Sequence, residues 1–219
     1  MKYQHIKRAI FIDRPNRFIA HVEVDGIVET VHVKNTGRCR ELLVPGAQVI
    51  LEVADNPKRK TKYDLVTVWK PGLGWVNIDS LAPNKVVGEW LAEQGYDLVR
   101  PEYTFGNSRV DFYMERDGER YLMEVKGCTL EIDGLGYFPD APTERGAKHL
   151  LELAAAVQEG YHAMLAFVIP MNGVTQVFPF AERDPKFAQA YEDAVRAGVE
   201  VKLLPCRVDE DSVVFEYRI

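Results

Sequence analysis

Cysteine is scarce in this chain. Its three cysteines, Cys39, Cys128 and Cys206, are widely spaced. No pair has CxxC or zinc-finger spacing, so reduced thiols are expected, not a disulfide framework or a thiolate metal site. No apolar run reaches the roughly 18 residues that a membrane helix needs. The opening MKYQHIKRAIFIDRPNRF is basic but has only a short apolar stretch, and no small-residue cleavage site follows. A secretory signal is therefore not expected, and the protein is read as cytoplasmic. There is no internal repeat, no low-complexity tract and no glycine-rich nucleotide loop of the P-loop or Rossmann type. What is present is ordinary globular composition, 47% hydrophobic and 27% charged over 219 residues. That is enough for one large domain or two small ones.

A bulk polycation is excluded by the net charge of −6. The charge is unevenly placed. Residues 1–80 carry 13 Lys and Arg against 9 Asp and Glu, while residues 81–219 carry 14 against 24. A half able to meet a polyanion is joined to an acidic half, whose carboxylates serve solubility or hold a metal ion.

The first 80 residues read as all-β. FIAHVEVDG and IVETVHVKN alternate apolar and polar residues around Asp25-Gly26, a hairpin signal. AQVILEVAD, KYDLVTVWK and GWVNID bring the count to five short strands, which suits a small barrel of the OB kind or a small sandwich. The pattern changes near Ala82-Pro83-Asn84. NKVVGEWLAEQG has helical spacing, YDLVRPEYTFG is strand-like, PTERGAKHLLELAAAVQEG is a second helix, and YHAMLAFVIP is a buried strand. TQVFPF is a shorter strand. DPKFAQAYEDAVRAGV opens a third helix with Asp184 as cap and Pro185 first, and two more strands follow. The expectation is α/β, or α+β overall, with domains 1–81 and 82–219.

Between the first two helices lies VDFYMERDGERYLMEVKG, residues 110–127. If Asp117-Gly118 is its turn, Phe112 faces Met123, Asp111 falls opposite Glu124, and Arg109 opposite Lys126. Alternation puts these four side chains on one face. Facing carboxylates repel each other unless one takes a proton or a divalent cation lies between them. Oxygen ligands of this kind suit Mg²⁺ or Mn²⁺. Lys126 beside the metal could orient an attacking water or neutralise phosphate charge. The competing reading is a solvent face with diagonal Asp111–Lys126 and Glu124–Arg109 ion pairs. Against it, YLMEVKG is too apolar for a simple exposed strand, and Gly127 marks a place of close backbone approach.

Asp111…Glu124-x-Lys126 on adjacent strands resembles the PD-(D/E)xK nuclease superfamily. RPNRF (14–18), NTGR (35–38), LLVPG (42–46), SRVDF (108–112), EVKGCTL (124–130), FPDAPTERGAKHL (138–150) and GVEV (198–201) fall in the order found in the sugar fermentation stimulation protein A family. This resemblance covers nearly the whole chain. It implies an N-terminal OB-like β-barrel and a C-terminal restriction-endonuclease-like domain with a mixed sheet flanked by helices. It also implies non-specific DNA binding and a regulatory link to sugar (maltose) metabolism. Carried over, the catalytic set is Asp111, Glu124, Lys126 and a helix carboxylate, Glu89, with Glu102 as its alternative. Asp111, Glu124 and the Val125 carbonyl would hold Mg²⁺ or Mn²⁺. Val110 stands where the superfamily motif has proline.

Under the same resemblance, the nucleic-acid contacts are Arg14, Asn16 and Arg17, with base stacking on Phe18, and Asn35, Thr36 and Arg38 in the next loop. Ser108, Arg109, Thr143, Arg145, Lys148 and His149 join them around the second helix. Without the resemblance, RPNRF reads as a surface turn, and His149 as well as a packed histidine. Two functions are carried forward: a divalent-metal-dependent nuclease acting on DNA, with RNA kept open, and a regulator that binds DNA without cutting it. No membrane partner is expected. A homodimer is one option for an oligomeric state that the sequence does not define.

Overall fold

A computed structural model describes residues 1–216 except 36, 57 and 107. The first half contains β1 (Ile6–Asn16), β2 (Ile19–Val24), β3 (Ile27–Val33), β4 (Gln48–Val53), β5 (Tyr63–Lys70) and β6 (Gly74–Asn77). β1 pairs with β2 and β4, β2 with β3, β3 in parallel with β5, and β5 with β4. The five strands therefore close on themselves as an OB-type barrel, and β6 extends β5 outside the closure. The five strands expected from alternation are β2 to β6. The strand not anticipated, β1, is the one that joins both sides of the barrel. Its register shifts between Phe11 and Asp13 and again between Asp13 and Asn16. Such bulges break the two-residue period that betrays a strand in sequence.

The second half runs α1 (Ala82–Leu91), β7 (Leu98–Phe105), β8 (Ser108–Arg116), β9 (Glu119–Gly127), β10 (Leu130–Ile132), β11 (Leu135–Phe138), α2 (Glu144–Gln158), β12 (His162–Ile169), β13 (Val177–Pro179), α3 (Pro185–Arg196), β14 (Glu200–Val208) and β15 (Val213–Phe215). Its main sheet has the order β15-β14-β12-β9-β8-β7, and β10-β11-β13 forms a small one. β12 is parallel to both neighbours, so α2 and α3 serve as crossovers, while β7, β8 and β9 are antiparallel. Asp117 and Gly118 have φ of 53° and 81°, the pair of left-handed residues that a two-residue hairpin turn requires. Asp133-Gly134, at 52° and 82°, makes the same turn between β10 and β11. That hairpin was legible by the same signal and is absent from the expectation above.

Alternation along the main sheet sorts its two faces. Leu122, Leu165 and Phe167 pack with Leu150 and Leu153 of α2 and Phe187 of α3. Met123, Val125, Met164 and Ala166 pack with Val86, Val87 and Leu91 of α1. The cluster on the α2 side continues without a break into the barrel, through Leu65, Val76 and Ile78. The halves are also stitched by backbone, with Asn77 N–H donating to Pro170 O at 3.0 Å and Tyr3 N–H to Asp211 O at 2.7 Å. The first residues of the chain thus lie against the C-terminal half, although sequence alone assigns them to the barrel.

A buried charge network ties the barrel shut. Asp64 is 2% exposed and is met by Arg59, by His32 at 2.9 Å and by Lys34 at 3.1 Å. Burial alone would raise its pKa. Hydrogen bonds from Arg59 and His32 and the charge of Lys34 outweigh burial and hold the carboxyl at about 2. A carboxyl depressed in this way stabilises the fold fully above its unfolded value of 3.8, and the contribution is lost as pH falls toward about 2. Asp64→Asn is expected to lower the unfolding free energy at neutral pH by about 1–2 kcal/mol, a figure discounted for the partial exposure of its partners. Urea titrations at neutral pH and at successively lower pH check this. A loss that stays constant down to the acid end would show that the charge is not the cause.

Candidate active site

The β8–β9 ladder holds the expected register from Arg116↔Glu119 to Phe112↔Met123 and then stops. Beyond that point β9 stays with β12, as far as Gly127↔Val168, and β8 stays with β7, as far as Ser108↔Phe105. Each strand follows its outer neighbour, and the hairpin opens. Asp111 does not continue the backbone ladder opposite Glu124. Its Oδ2 accepts the Val125 N–H at 2.7 Å, so a side-chain oxygen satisfies the backbone donor left where the strands part. Its Oδ1 accepts from Asn84 Nδ2 at 2.8 Å. Asn84, in the first turn of α1, is a site residue that sequence reasoning missed. Its only sign is a polar residue at the start of the helix that leads into the hairpin.

Glu124 lies on the α2 face of β9 and is 3% exposed. Its Oε1 accepts from Lys126 Nζ at 2.5 Å and from His149 Nδ1. The other ring nitrogen of His149, Nε2, accepts from Arg145 Nε at 3.3 Å. An arginine Nε can only donate, so Nε2 is the accepting nitrogen and Nδ1 is the one that faces Glu124. Burial pushes Glu124 upward, but the His149 hydrogen bond and the Lys126 ammonium outweigh it and hold the carboxyl below its ordinary value. For Asp111 the balance goes the other way. Burial first, then the charge of Glu124, keep it above the usual carboxylate value, against the Val125 and Asn84 hydrogen bonds.

Glu89 does not reach this cluster. It is exposed and pairs with the Met1 amino group at 2.7 Å. Helix geometry explains this: with Asn84 turned toward the hairpin, a residue five further on points well away from it. The alternative, Glu102, is equally remote and pairs with Arg109 at 3.0 Å. Arg109 accordingly pairs in the β7 ladder with Thr104 and does not face Lys126. Neither expected diagonal ion pair forms; the pairs made are Glu124–Lys126 and Glu102–Arg109. Gly127 does mark a close approach, though to protein: a Cβ there would lie 2.8 Å from Pro83 Cγ. That contact seats the first turn of α1, and hence Asn84, on β9.

The proposed nucleic-acid residues divide. Arg14 is consumed by its own fold: its guanidinium donates to the carbonyls of Arg17, Asn35, Gly37 and Arg38 at 2.6–2.9 Å, and its Nε is buried without a partner among the described residues. Asn16 Oδ1 caps the turn by accepting from Phe18 N–H and Ile19 N–H, and Asn35 bridges Ile78 O and Gly37 N–H. Thr36 lies outside the described residues. Arg17 is exposed and lies over the Phe18 ring at 4.8 Å, and the Arg38 side chain is also exposed. Thr143 caps α2 by accepting from Gly146 N–H at 3.0 Å. Ser108, Arg109, Arg145, Lys148 and His149 line one open cleft of about 480 Å³ together with Glu144. Lys148 reaches Ser108 Oγ at 3.3 Å.

Among the described residues, no group of three or more His, Cys, Asp or Glu side chains is arranged as a metal cage. The fit to a divalent cation rests on the pair. Asp111 carries a charge that Glu124 opposes, and Glu124 Oε2 has no partner among the described residues. Two carboxylates and a backbone carbonyl are hard oxygen donors of the kind that bind Mg²⁺ or Mn²⁺ alongside several waters.

Comparison with known proteins agrees in both halves. Residues 12–78 match the family model of the SfsA N-terminal OB domain, and residues 81–212 match that of the sugar fermentation stimulation protein RE domain. The chain is 48% identical to a sugar fermentation stimulation protein homolog of Ruminiclostridium cellulolyticum, over 100% of this chain and 98% of that one. It is 51% identical to one of Desulfitobacterium hafniense strain Y51, over 97% and 94%. Among solved structures it is similar to Pyrococcus furiosus SfsA in complex with Ca²⁺, with 27% identity, a TM-score of 0.86 and coverage of 98% and 95%.

Two glycines test how the site is seated. Gly127→Ala drives a methyl into the rigid Pro83 ring and is expected to cost about 1–3 kcal/mol. Gly88→Ala, in α1, meets Phe112 only at 3.9 Å and is expected to be neutral or to stabilise by about 0.5–1 kcal/mol. Thermal unfolding of the two variants checks the contrast, and an unchanged midpoint for Gly127→Ala would refute the packing argument.

Proposed function

The chain belongs to the sugar fermentation stimulation protein family, and on that premise we propose that it is a divalent-metal-dependent nucleic-acid phosphodiesterase acting on DNA. The observation that carries the reading is Glu124. It is a buried carboxylate held by an ammonium and an imidazole, at the point where the hairpin opens, beside a second carboxylate that its own charge opposes. A carboxylate kept in such a place without a catalytic use would be a costly way to make a hairpin.

In this reading Asp111, Glu124 and the Val125 carbonyl hold Mg²⁺ or Mn²⁺. The N–H and C=O of one strand residue project to the same side, and the Val125 N–H is already bonded to Asp111, which aims its carbonyl at the same gap. The Ca²⁺ bound by the Pyrococcus furiosus relative supports a divalent cation here. When bound, such an ion supplies a Lewis acid for a phosphoryl oxygen and an acidified water. The remaining work falls to the chain. His149 fixes the Glu124 rotamer through Oε1 and leaves Oε2 for the ion. Asn84 does the same for Asp111. Lys126 can transfer its hydrogen bond from Glu124 to the attacking water or to the developing phosphate charge. Residues 1–81 would hold the substrate and residues 82–219 would cut it. A second reading, a DNA-binding regulator that does not cut, is favoured by Glu89 and Glu102, the expected third acidic ligands, both being engaged elsewhere.

Two measurements separate these readings. Saturating Mg²⁺, Mn²⁺ or Ca²⁺ is expected to raise the unfolding free energy by about 2–3 kcal/mol at a hundredfold excess over Kd, and Asp111→Ala is expected to abolish that gain. In cleavage assays on single- and double-stranded DNA and RNA, Lys126→Ala is expected to reduce metal-dependent cutting at least about 100-fold while binding persists, and Glu89→Ala to leave it unchanged. No cleavage above that of the Asp111→Ala control would sink the nuclease reading and leave the regulator.

A further inference from the structure

Several arginines of this acidic chain are spent on carboxylates. Arg8 pairs with Glu210, Arg59 with Asp64, Arg109 with Glu102 and Arg196 with Asp193. Four others are not. Among the described residues, the side chains of Arg17, Arg38 and Arg40 have no ion-pair partner, and Arg183 only donates to the Asp140 carbonyl at 2.6 Å. These four are not scattered. Arg17, Arg38 and Arg40 line a cleft of about 450 Å³ at the β1–β2 turn. Arg38 and Arg40 also line a second, of about 460 Å³, with Arg183. Asp140 joins the second cleft to a third, of about 200 Å³, between the halves, and that one reaches Pro83 and Gly127, next to Lys126. The clefts run in series from the barrel to the strand that carries Glu124 and Lys126.

Two of these arginines lie over aromatic rings. Arg17 covers Phe18 at 4.8 Å and Arg183 covers Phe180 at 4.9 Å. Phe18 is 45% exposed, and Phe178, beside Tyr137 in the small sheet, is 42% exposed. From this arrangement we propose that the groove binds single-stranded polynucleotide, with Arg40 and Arg183 as phosphate anchors and Phe18 as a base-stacking platform. Arg183 and Phe180 belong to none of the motifs that suggested nucleic-acid binding.

Charge spread over successive clefts suits a ligand with repeated charges and not one small anion. Flat rings alternating with guanidinium groups match bases alternating with phosphates, which an acidic peptide does not offer. In a duplex the faces of the bases are covered by their neighbours, so an exposed ring gains nothing from it. Asp13, Glu41 and Asp140 line the first two clefts and are outnumbered there by Arg14, Arg17, Arg38, Arg40 and Arg183. Asp140 is tied to the Arg38 N–H at 3.0 Å and Asp13 to His21 at 2.7 Å. At the far end, a scissile phosphate must descend to a nearly buried Glu124, and one bending strand reaches that floor more readily than a stiff duplex. This last step rests on the phosphodiesterase reading; the binding claim does not.

Fluorescence anisotropy on the full chain tests it, with labelled single-stranded DNA, single-stranded RNA and duplex DNA of about 20 residues, a length sufficient for one or two OB-type sites. Titrations are run in Ca²⁺ and in chelator over a range of salt. The single strand is expected to bind at least about tenfold tighter than the duplex, and the DNA and RNA arms tell which backbone is used. Arg40→Ala combined with Arg183→Ala is expected to weaken binding at least about tenfold and to lower the logarithmic salt slope by about 1.4. Phe18→Ala should weaken single-strand binding by about 5- to 100-fold and leave duplex binding unchanged. Arg196→Ala is the control for exposed charge elsewhere, and unchanged thermal unfolding verifies that the variants fold. Equal or tighter duplex binding, or a double variant that binds like the parent, overturns the proposal. Single-strand binding without cleavage would retain the groove and reject only the hydrolytic reading.

Discussion

A carboxylate removed from water keeps its charge only where donors replace the solvent, and Glu124 places that demand on everything around it. Lys126, two residues along the same strand, supplies one donor, and His149 on α2 supplies the other. The helix must therefore present His149 to this face of the sheet. Thr143 and Asp184 fix how it starts: Thr143 caps the first turn, and Asp184 accepts the Thr143 N–H at 2.7 Å while also capping α3. The α2–α3 contact thus fixes the helix that carries His149 to the floor of the site.

The hairpin opens because three-way competition for neighbours ends in a draw. β9 is drawn to β12 and β8 to β7, and neither outer ladder yields. The gap left between them would strand a backbone donor in a buried place. Asp111 fills that role and in doing so comes to rest beside Glu124. The repulsion between the two carboxylates is the residue of a structural solution, and it is the property that makes the pair receptive to a cation.

Much of this was legible in residues. Asp117-Gly118 is a turn whose geometry only a few residue pairs satisfy, so it announced both the hairpin and its register as far as Phe112 and Met123. The helices announced themselves by caps and period. What was not legible has specific causes. β1 hides its period behind bulges. Arg14 looks like a phosphate ligand in RPNRF, but three of the four carbonyls it holds come from a loop more than twenty residues away. Glu89 is the acidic residue of the right helix, but the phase of that helix turns Asn84 to the site instead. Arg183 belongs to no motif; only the apposition of the two halves makes it a neighbour of Arg40.

By itself, then, the sequence determined what depends on local rules: turn type, strand register near the turn, helix limits, and the sharing of one strand face by Glu124 and Lys126. The tertiary structure alone decided what depends on distance in the chain. It decided where the ladder ends, which helix residue meets Asp111, that His149 holds Glu124, and which arginines remain unpaired along the groove. Local rules act over a few residues through backbone dihedrals and side-chain period. The partners of a buried charge come from wherever packing delivers a donor, and no spacing in a single sequence encodes that.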